Sequence, residues 1–368
     1  MIPVNRPLIN NSDMEAVSKA LDDTYISGET PLTVELESLM CQIVKTEHAI
    51  AVSNGTVALD LLVEALDVKK SDHCIVPNFT IISTISNLLR KGANIELIDA
   101  DPVTWSINAD AAAASIRSDT KLILPVHIYG LPVDLDPILS AAKKFETVVI
   151  EDSAEALGVD YKNNPCGSFG YASTFSFYAN KIVTGGEGGA ITTNDINLSK
   201  KLKKMRSLSH SNERFVHEYL GWNSRIHGLS AALIISQLKR LEILKSQKRK
   251  IAQQYLQGLE GHPWITFMPK EMTYSENLYW VFPILLNSES NLDAPRLQSR
   301  FMELGIETRR FFCPMNLQPI IKSSNVVFNS NYNVSENLWR NGIYLPSGLG
   351  TTKNEIEYCI EKLWDLIK

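Results

Sequence analysis

Thr174-Phe175-Ser176-Phe177-Tyr178-Ala179-Asn180-Lys181 runs through Ile182-Val183 into Thr184-Gly185-Gly186-Glu187-Gly188-Gly189, so a lysine sits in an apolar run that ends at a glycine-rich turn. Upstream, the apolar run Val148-Val149-Ile150 ends in Glu151-Asp152. A strand ending in a carboxylate, then a serine and a lysine before a tight turn, is the residue set that pyridoxal phosphate (PLP) chemistry needs. The acid holds the pyridine nitrogen, the hydroxyl helps hold the phosphate and the amine makes the Schiff base. An amine in a desolvated pocket binds its proton less tightly, which suits it to that bond. Alternate strand residues face opposite sides, so Asp152, the last residue before the turn, is the acid expected to face the crevice. Each residue alone has a plainer explanation: a strand-end aspartate commonly caps the next turn, and most lysines lie on the surface.

The pattern around this stretch is that of a crossover fold. Candidate strands are Ala49–Val52, His73–Val76, Asn94–Ile98, Leu122–His127, Thr147–Ile150, Ala172–Ser176 and Gly189–Thr193. Helical patterns at Thr56–Ala65, Ile82–Lys91, Asn108–Ile116 and Asp136–Phe145 lie between several of them. Alternation of this kind predicts a mainly parallel seven-stranded sheet between helices, with ligands bound at the carboxyl ends of its strands. Leu229 to Tyr255 has apolar residues at three- and four-residue spacing, predicting one long helix or two consecutive ones. Pro263 to Lys368 mixes strands such as Trp280–Leu286 with helices such as Leu297–Leu304 and Lys353–Ile367. The expected organisation is a large α/β domain over residues 1–245, N-terminal segment included, and a smaller C-terminal α/β domain over 246–368.

Bulk properties exclude several function classes. The chain has 368 residues, 21% of them charged, and a net charge of −5 without a basic stripe, which argues against nucleic acid as a partner. The basic runs Lys200 to Lys204 and Lys245 to Lys250 read as solvated helix faces. No run of about 18 apolar residues occurs, so no membrane span is expected. The N-terminus has no apolar signal core, and the five cysteines are scattered without CxxC spacing. These features predict a cytoplasmic protein with neither a metal site nor a disulfide framework.

Ser53-Asn54-Gly55-Thr56 follows the first strand and opens a helix. Free amides at a helix start bind phosphate, and Gly55 lets the backbone approach an anion. The same residues also make an ordinary helix cap. Glu155, three residues after Asp152, is placed to contact the cofactor's ring hydroxyl or the amino-transfer region.

In this order the segments resemble the DegT/StrS family of nucleotide-sugar aminotransferases, of the aspartate-aminotransferase-like fold (PLP fold type I). The likeness runs through Tyr25-Ile26-Ser27-Gly28, Ser53 to Thr56, Val126-His127-Ile128-Tyr129-Gly130, Glu151 to Glu155, Phe175 to Gly189, Gly221 to Arg225 and Glu307 to Pro314. The resemblance implies that Lys181 carries the cofactor, Asp152 binds its ring nitrogen and Glu155 lies by its ring hydroxyl. Gly55, Thr56 and Ser176 would hold the phosphate. Asn223 would reach that phosphate from a second subunit, which implies a homodimer with shared active sites. Ser27, His127, Tyr178, Arg309 and Asn316 would lie near the sugar or nucleotide; for His127 a satisfied core histidine is the alternative, and for Arg225 an interface salt bridge.

Three departures from the family pattern stand out. The ring-stacking aromatic position is Ile81, so either an aliphatic face covers the ring or Phe79 does. The family's C-terminal histidine is Asn316, and its "R-M-T-N" is Arg225-Ile226-His227-Gly228. Lys181 is retained, whereas a relative that had turned to dehydration would be expected to replace it. The activity implied is ping-pong transfer of an amino group from L-glutamate, released as 2-oxoglutarate, to a nucleotide-linked 4-keto-6-deoxysugar. Pyridoxamine phosphate would be the intermediate form of the cofactor, and the product would enter surface-glycan or O-antigen synthesis. A GDP-linked sugar is the leading expectation and a dTDP- or UDP-linked one the alternative; a non-catalytic PLP-binding regulator is a further one.

Overall fold

The computed structural model describes residues 1–213, 215–287, 289–327 and 331–367. Its main sheet uses seven strands between residues 48 and 193: β1 (His48–Val52), β2 (His73–Pro77), β3 (Asn94–Ile98), β4 (Thr120–Ile123), β5 (Val148–Asp152), β6 (Ala172–Ser176) and β7 (Gly189–Thr193). The C-terminal third supplies β8 (Ile265–Phe267), β9 (Phe282–Leu286), β10 (Arg309–Arg310), β11 (Val326–Val327) and β12 (Gly342–Leu345). The large sheet runs β1-β7-β6-β5-β4-β2-β3-β11. All its neighbours are parallel except β7, which is antiparallel to β1 and β6. The α/β fold expected from the sequence is therefore present, with β11 as an eighth strand.

Both faces of this sheet are covered, which is why its strands read as nearly continuous apolar runs. Along β2, Ile75 joins one core cluster while Cys74 and Val76 join the other. A four-stranded antiparallel sheet, β8-β9-β12-β10, forms the smaller lobe. Its core unites Tyr255, Phe282, Phe301, Ile343 and Ile356. A fourth cluster, with Phe79, Trp105 and Tyr129 from the large lobe and Trp280, Phe311 and Tyr344 from the small one, fills the seam between them.

The structure departs from the expected organisation in three places. A boundary between residues 245 and 246 cuts the continuous helix Leu241–Gly258. That helix and Gly228–Leu238 are the two consecutive helices of the Leu229–Tyr255 pattern. The first residues belong with the small lobe: Ile2 N–H donates to Gly305 O at 2.7 Å, and Ser347 N–H donates to Val4 O at 3.2 Å. Conversely, β11 crosses back to extend the large sheet beside β3. The Lys245–Lys250 run is no uniformly solvated face either, because Lys245 and Lys248 turn inward and are buried.

Candidate active site

The carboxyl ends of β5 and β6 bring the predicted residues together. Asp152 closes β5 and is 2% exposed. Its carboxylate accepts from Ala154 N–H at 3.2 Å and from the hydroxyls of Thr84 at 3.3 Å and Thr174 at 3.5 Å. Strand alternation sends Glu151 the other way. Glu151 is fully buried and accepts from the amides of Gly167 (2.8 Å), Phe169 (2.8 Å) and Gly170 (2.7 Å). One acid therefore fastens a loop beneath the sheet while its neighbour faces the crevice.

Lys181 is enclosed at the crevice floor. Its Nζ lies 3.8 Å from Glu155 Oε1 and 3.7 Å from the centre of the Trp280 ring. Glu155 Oε2 accepts the Tyr129 amide at 2.8 Å. Burial lowers the Lys181 pKa, and the nearby carboxylates of Glu155 and Asp152 oppose that shift. Burial also raises Glu155, against the pull of Lys181 and the Tyr129 amide. Asp152 is raised by burial too, with the Ala154 amide and Lys181 opposing.

The start of the helix Gly55–Ala65 offers donors for an anion. Asn54 caps it by accepting Val57 N–H, and the first intrahelical bond is Ala58 N–H to Asn54 O, so the Gly55 and Thr56 amides precede the helical ladder. A Cβ on Gly55 would stand 3.0 Å from Ser176 Cβ, which shows how closely β6 approaches this turn. Thr56 Oγ1 and Ser83 Oγ are 2.8 Å apart. Amides, hydroxyls, a buried acid and an enclosed amine match the donors and acceptors of PLP.

The other predicted site residues divide. Ile81 is 46% exposed, whereas Phe79 is 1% exposed and packs against Tyr129, Phe311 and Phe312. The Phe79 ring is thus committed to the lobe seam. His127 is corrected to a core residue: it is fully buried, its Nδ1 accepts Val133 N–H at 3.2 Å, and its Nε2 faces Glu151 at 3.2 Å. Asn316 is likewise corrected to a clamp between lobes. Its Oδ1 accepts from Asn78 and its Nδ2 donates to Glu336, at 2.9 and 3.0 Å, so both ends of the amide help hold the lobes together.

Ser27 is exposed, and its carbonyl accepts Gly228 N–H at 2.9 Å. Tyr178 is 47% exposed beside Ser176. Arg309 is half-exposed, 3.7 Å from Glu307, and its charge acts on the Tyr344 phenol. Asn223 is exposed on a segment that bridges to Ser207, while the next residues, Ser224 and Arg225, pair with the end of β1. Sequence reasoning missed Trp280 and Tyr344. Trp280 was visible only as the first residue of an expected strand, and nothing local marks the ring that meets Lys181.

This fold and this site define a PLP-dependent aminotransferase of the α/β class. The chain belongs to the DegT/DnrJ/EryC1/StrS aminotransferase family, whose model matches residues 7–364. It is 32% identical over 363 residues to the GDP-perosamine synthase of Caulobacter vibrioides, covering 98% of this chain and 97% of that one. Among solved structures, a GDP-4-keto-6-deoxymannose-3-dehydratase with bound GDP-perosamine superposes with a TM-score of 0.91 at 24% identity, covering 99% of this chain and 100% of that one. A sugar aminotransferase of Streptococcus pneumoniae in its PMP form gives 0.90 at 24% identity, with 100% and 99% covered. Among the described residues no helix is long and apolar enough to cross a membrane.

Proposed function

We propose that this chain transfers the amino group of L-glutamate to C4 of a GDP-linked 4-keto-6-deoxysugar, as a GDP-perosamine synthase does. The observation that carries the reading is the enclosed Lys181 amine, set between Glu155 and Trp280 with Asp152 at the neighbouring strand end. The dehydratase and the aminotransferase superpose on it almost equally well, so the shared fold does not choose between the two reactions. The retained Lys181 favours transamination.

When bound, PLP supplies the electron sink that lets a proton leave the α-carbon of an amino acid. Lys181 would hold it covalently through Nζ. Asp152 would keep a proton at its ring nitrogen, and the Gly55 and Thr56 amides with the Ser176 hydroxyl would bind its phosphate. Ile81, as the exposed one of the two candidates, would lie against the ring. Once displaced by the donor's amine, Lys181 Nζ would carry the proton as general base and then acid. Its lowered pKa leaves more of the amine unprotonated for the first of these tasks. Ser27, Tyr178 and Arg309 would line the sugar-nucleotide side.

Asn223 would serve the phosphate of a second subunit. Val216, Tyr219, Leu220 and Trp222 project from the segment beside it, Leu220 at 90% exposure, and a homodimer would cover them. The enzyme would work in the cytoplasm as two lobes joined by the helix Leu241–Gly258.

The test is spectral. Purified protein with PLP should be yellow and should lose its long-wavelength band with L-glutamate. Offered GDP-, dTDP- and UDP-linked 4-keto sugars, it should then regain the band with the GDP-linked one. No change with glutamate refutes the aminotransferase reading; recovery with another nucleotide refutes the GDP assignment alone.

A further inference from the structure

Trp280 reaches Lys181 from the other lobe, through backbone that is costly to form. Tyr129 and Tyr279 both have positive φ, at 55° and 54°, where bulky side chains are rarely found. Their segments lie back to back: Trp280 N–H donates to Tyr129 O at 2.9 Å, and Leu278 N–H donates to Gly130 O at 3.0 Å. Gly130 is required there, because a Cβ would come within 2.6 Å of Trp280 N. The contact places an indole, 5% exposed, with its face 3.7 Å from Lys181 Nζ. The indole Nε1–H donates to Asn180 O at 3.0 Å, fixing the backbone next to that lysine. Trp280 also stacks on Tyr129, whose amide donates to Glu155, and Glu155 faces Lys181. The contacts thus close a ring: Lys181, Trp280, Tyr129, Glu155 and back to Lys181.

We propose that Trp280 is a positioning residue for Lys181, holding the free, charged ammonium between its ring face and the Glu155 carboxylate whenever that amine is not covalently engaged. The catalytic role of Lys181 rests on the function proposed above; the hold on its ammonium does not. A ring face attracts a cation and offers a neutral amine little, and the attraction grows when water is excluded. Trp280 therefore favours the protonated lysine, opposing the effect of burial, and steers Nζ toward the side where Glu155 stands. The charged groups acting on Nζ are Glu155 and Asp152, and Lys248 lines the same small cavity as Lys181.

The test uses the apo protein labelled with 5-fluorotryptophan, with the Trp280 resonance assigned by its loss in Trp280→Phe. Titrated from about pH 6 to 11, that resonance is expected to show in the wild type, besides a step from the Glu155 carboxyl near 7, an inflection at higher pH that Lys181→Met removes. A flat titration, or the same one in Lys181→Met, overturns the proposal. Independently, acylation of Lys181 at about pH 8, read by peptide mass, is expected to run about tenfold faster in Trp280→Leu than in the wild type. Trp280→Phe should fall between them, and an unchanged rate in folded Trp280→Phe and Trp280→Leu also overturns it. Borohydride reduction after adding PLP separates the two hypotheses. Wild-type protein without a pyridoxyl adduct on Lys181 would sink the cofactor reading, whereas the fluorine titration would still decide the role of Trp280.

Discussion

Replacing Glu151 by glutamine is expected to destabilise the apo protein by roughly 2–6 kcal/mol, while replacing Asp152 by asparagine changes its stability by less than about 1 kcal/mol. The Glu151 carboxylate accepts from three backbone amides, those of Gly167, Phe169 and Gly170, and faces His127 Nε2. Because Val133 N–H is bonded to His127 Nδ1, the Nε2 atom carries the proton and also donates to Glu151. A glutamine can turn its single oxygen toward Phe169 and Gly170, but its NH2 group then meets the Gly167 and His127 donors. At least two buried donors lose their acceptor, at about 1–3 kcal/mol each.

Asp152 makes only longer bonds, of 3.2 to 3.5 Å, and its charge is disfavoured by burial, so a neutral amide of the same shape fits its place. Urea unfolding of both apo variants, followed by far-UV circular dichroism, measures the difference. Glu151→Gln within about 0.5 kcal/mol of the wild type would refute the division of labour drawn here between the two acids. Asp152→Asn should instead lose transamination by on the order of 10²–10³-fold, the usual scale for one preorganised electrostatic partner.

Phe79→Ala should cost about 3–5 kcal/mol in the same assay, while Ile81→Ala stays within about 0.5 kcal/mol and weakens PLP binding, because only Phe79 is buried. Gly55→Ala should fold normally and bind PLP roughly tenfold to a hundredfold more weakly, as measured by fluorescence titration, since its methyl group would press on Ser176. The Arg6 guanidinium, 2.8 Å from Glu355, holds that carboxyl down at about 2. A lowered carboxylate stabilises the fold above its unfolded pKa, and that contribution is lost as pH falls from about 4.5 through about 2. Arg6 is 40% exposed, so solvent screening keeps the effect to about 1 kcal/mol or less; Glu355→Gln should remove this part of the acid sensitivity of the urea midpoint.

Much of the frame was legible in the chain because it is set by short-range pattern. All seven strands read between Ala49 and Thr193 form the large sheet, with ends that move by a few residues. The strand Val326–Val327 was missed because two residues carry no period, and only a crossing from the small lobe brings them beside β3. The lobe boundary expected at residue 245 has no local mark for the opposite reason: the helix Leu241–Gly258 runs unbroken through it.

The site divides along the same line. Asp152, Ser176 and the Gly55-Thr56 turn could be read because each marks a strand end or a helix start, and Lys181 because it stands between a strand end and a glycine-rich turn; the topology gathers such ends at one edge. His127, Phe79 and Asn316 were placed near ligands by resemblance, but side-chain direction decides their roles. Two point into cores, and one bonds at both ends of its amide across the lobes. The sequence by itself determined the sheet, the strand-end acid and the lysine before its turn, because strand alternation and turn chemistry are local. Only the tertiary structure decided what faces that lysine. Trp280 lies 99 positions further along the chain and meets it through two left-handed tyrosines packed across the seam, a contact that no local rule specifies.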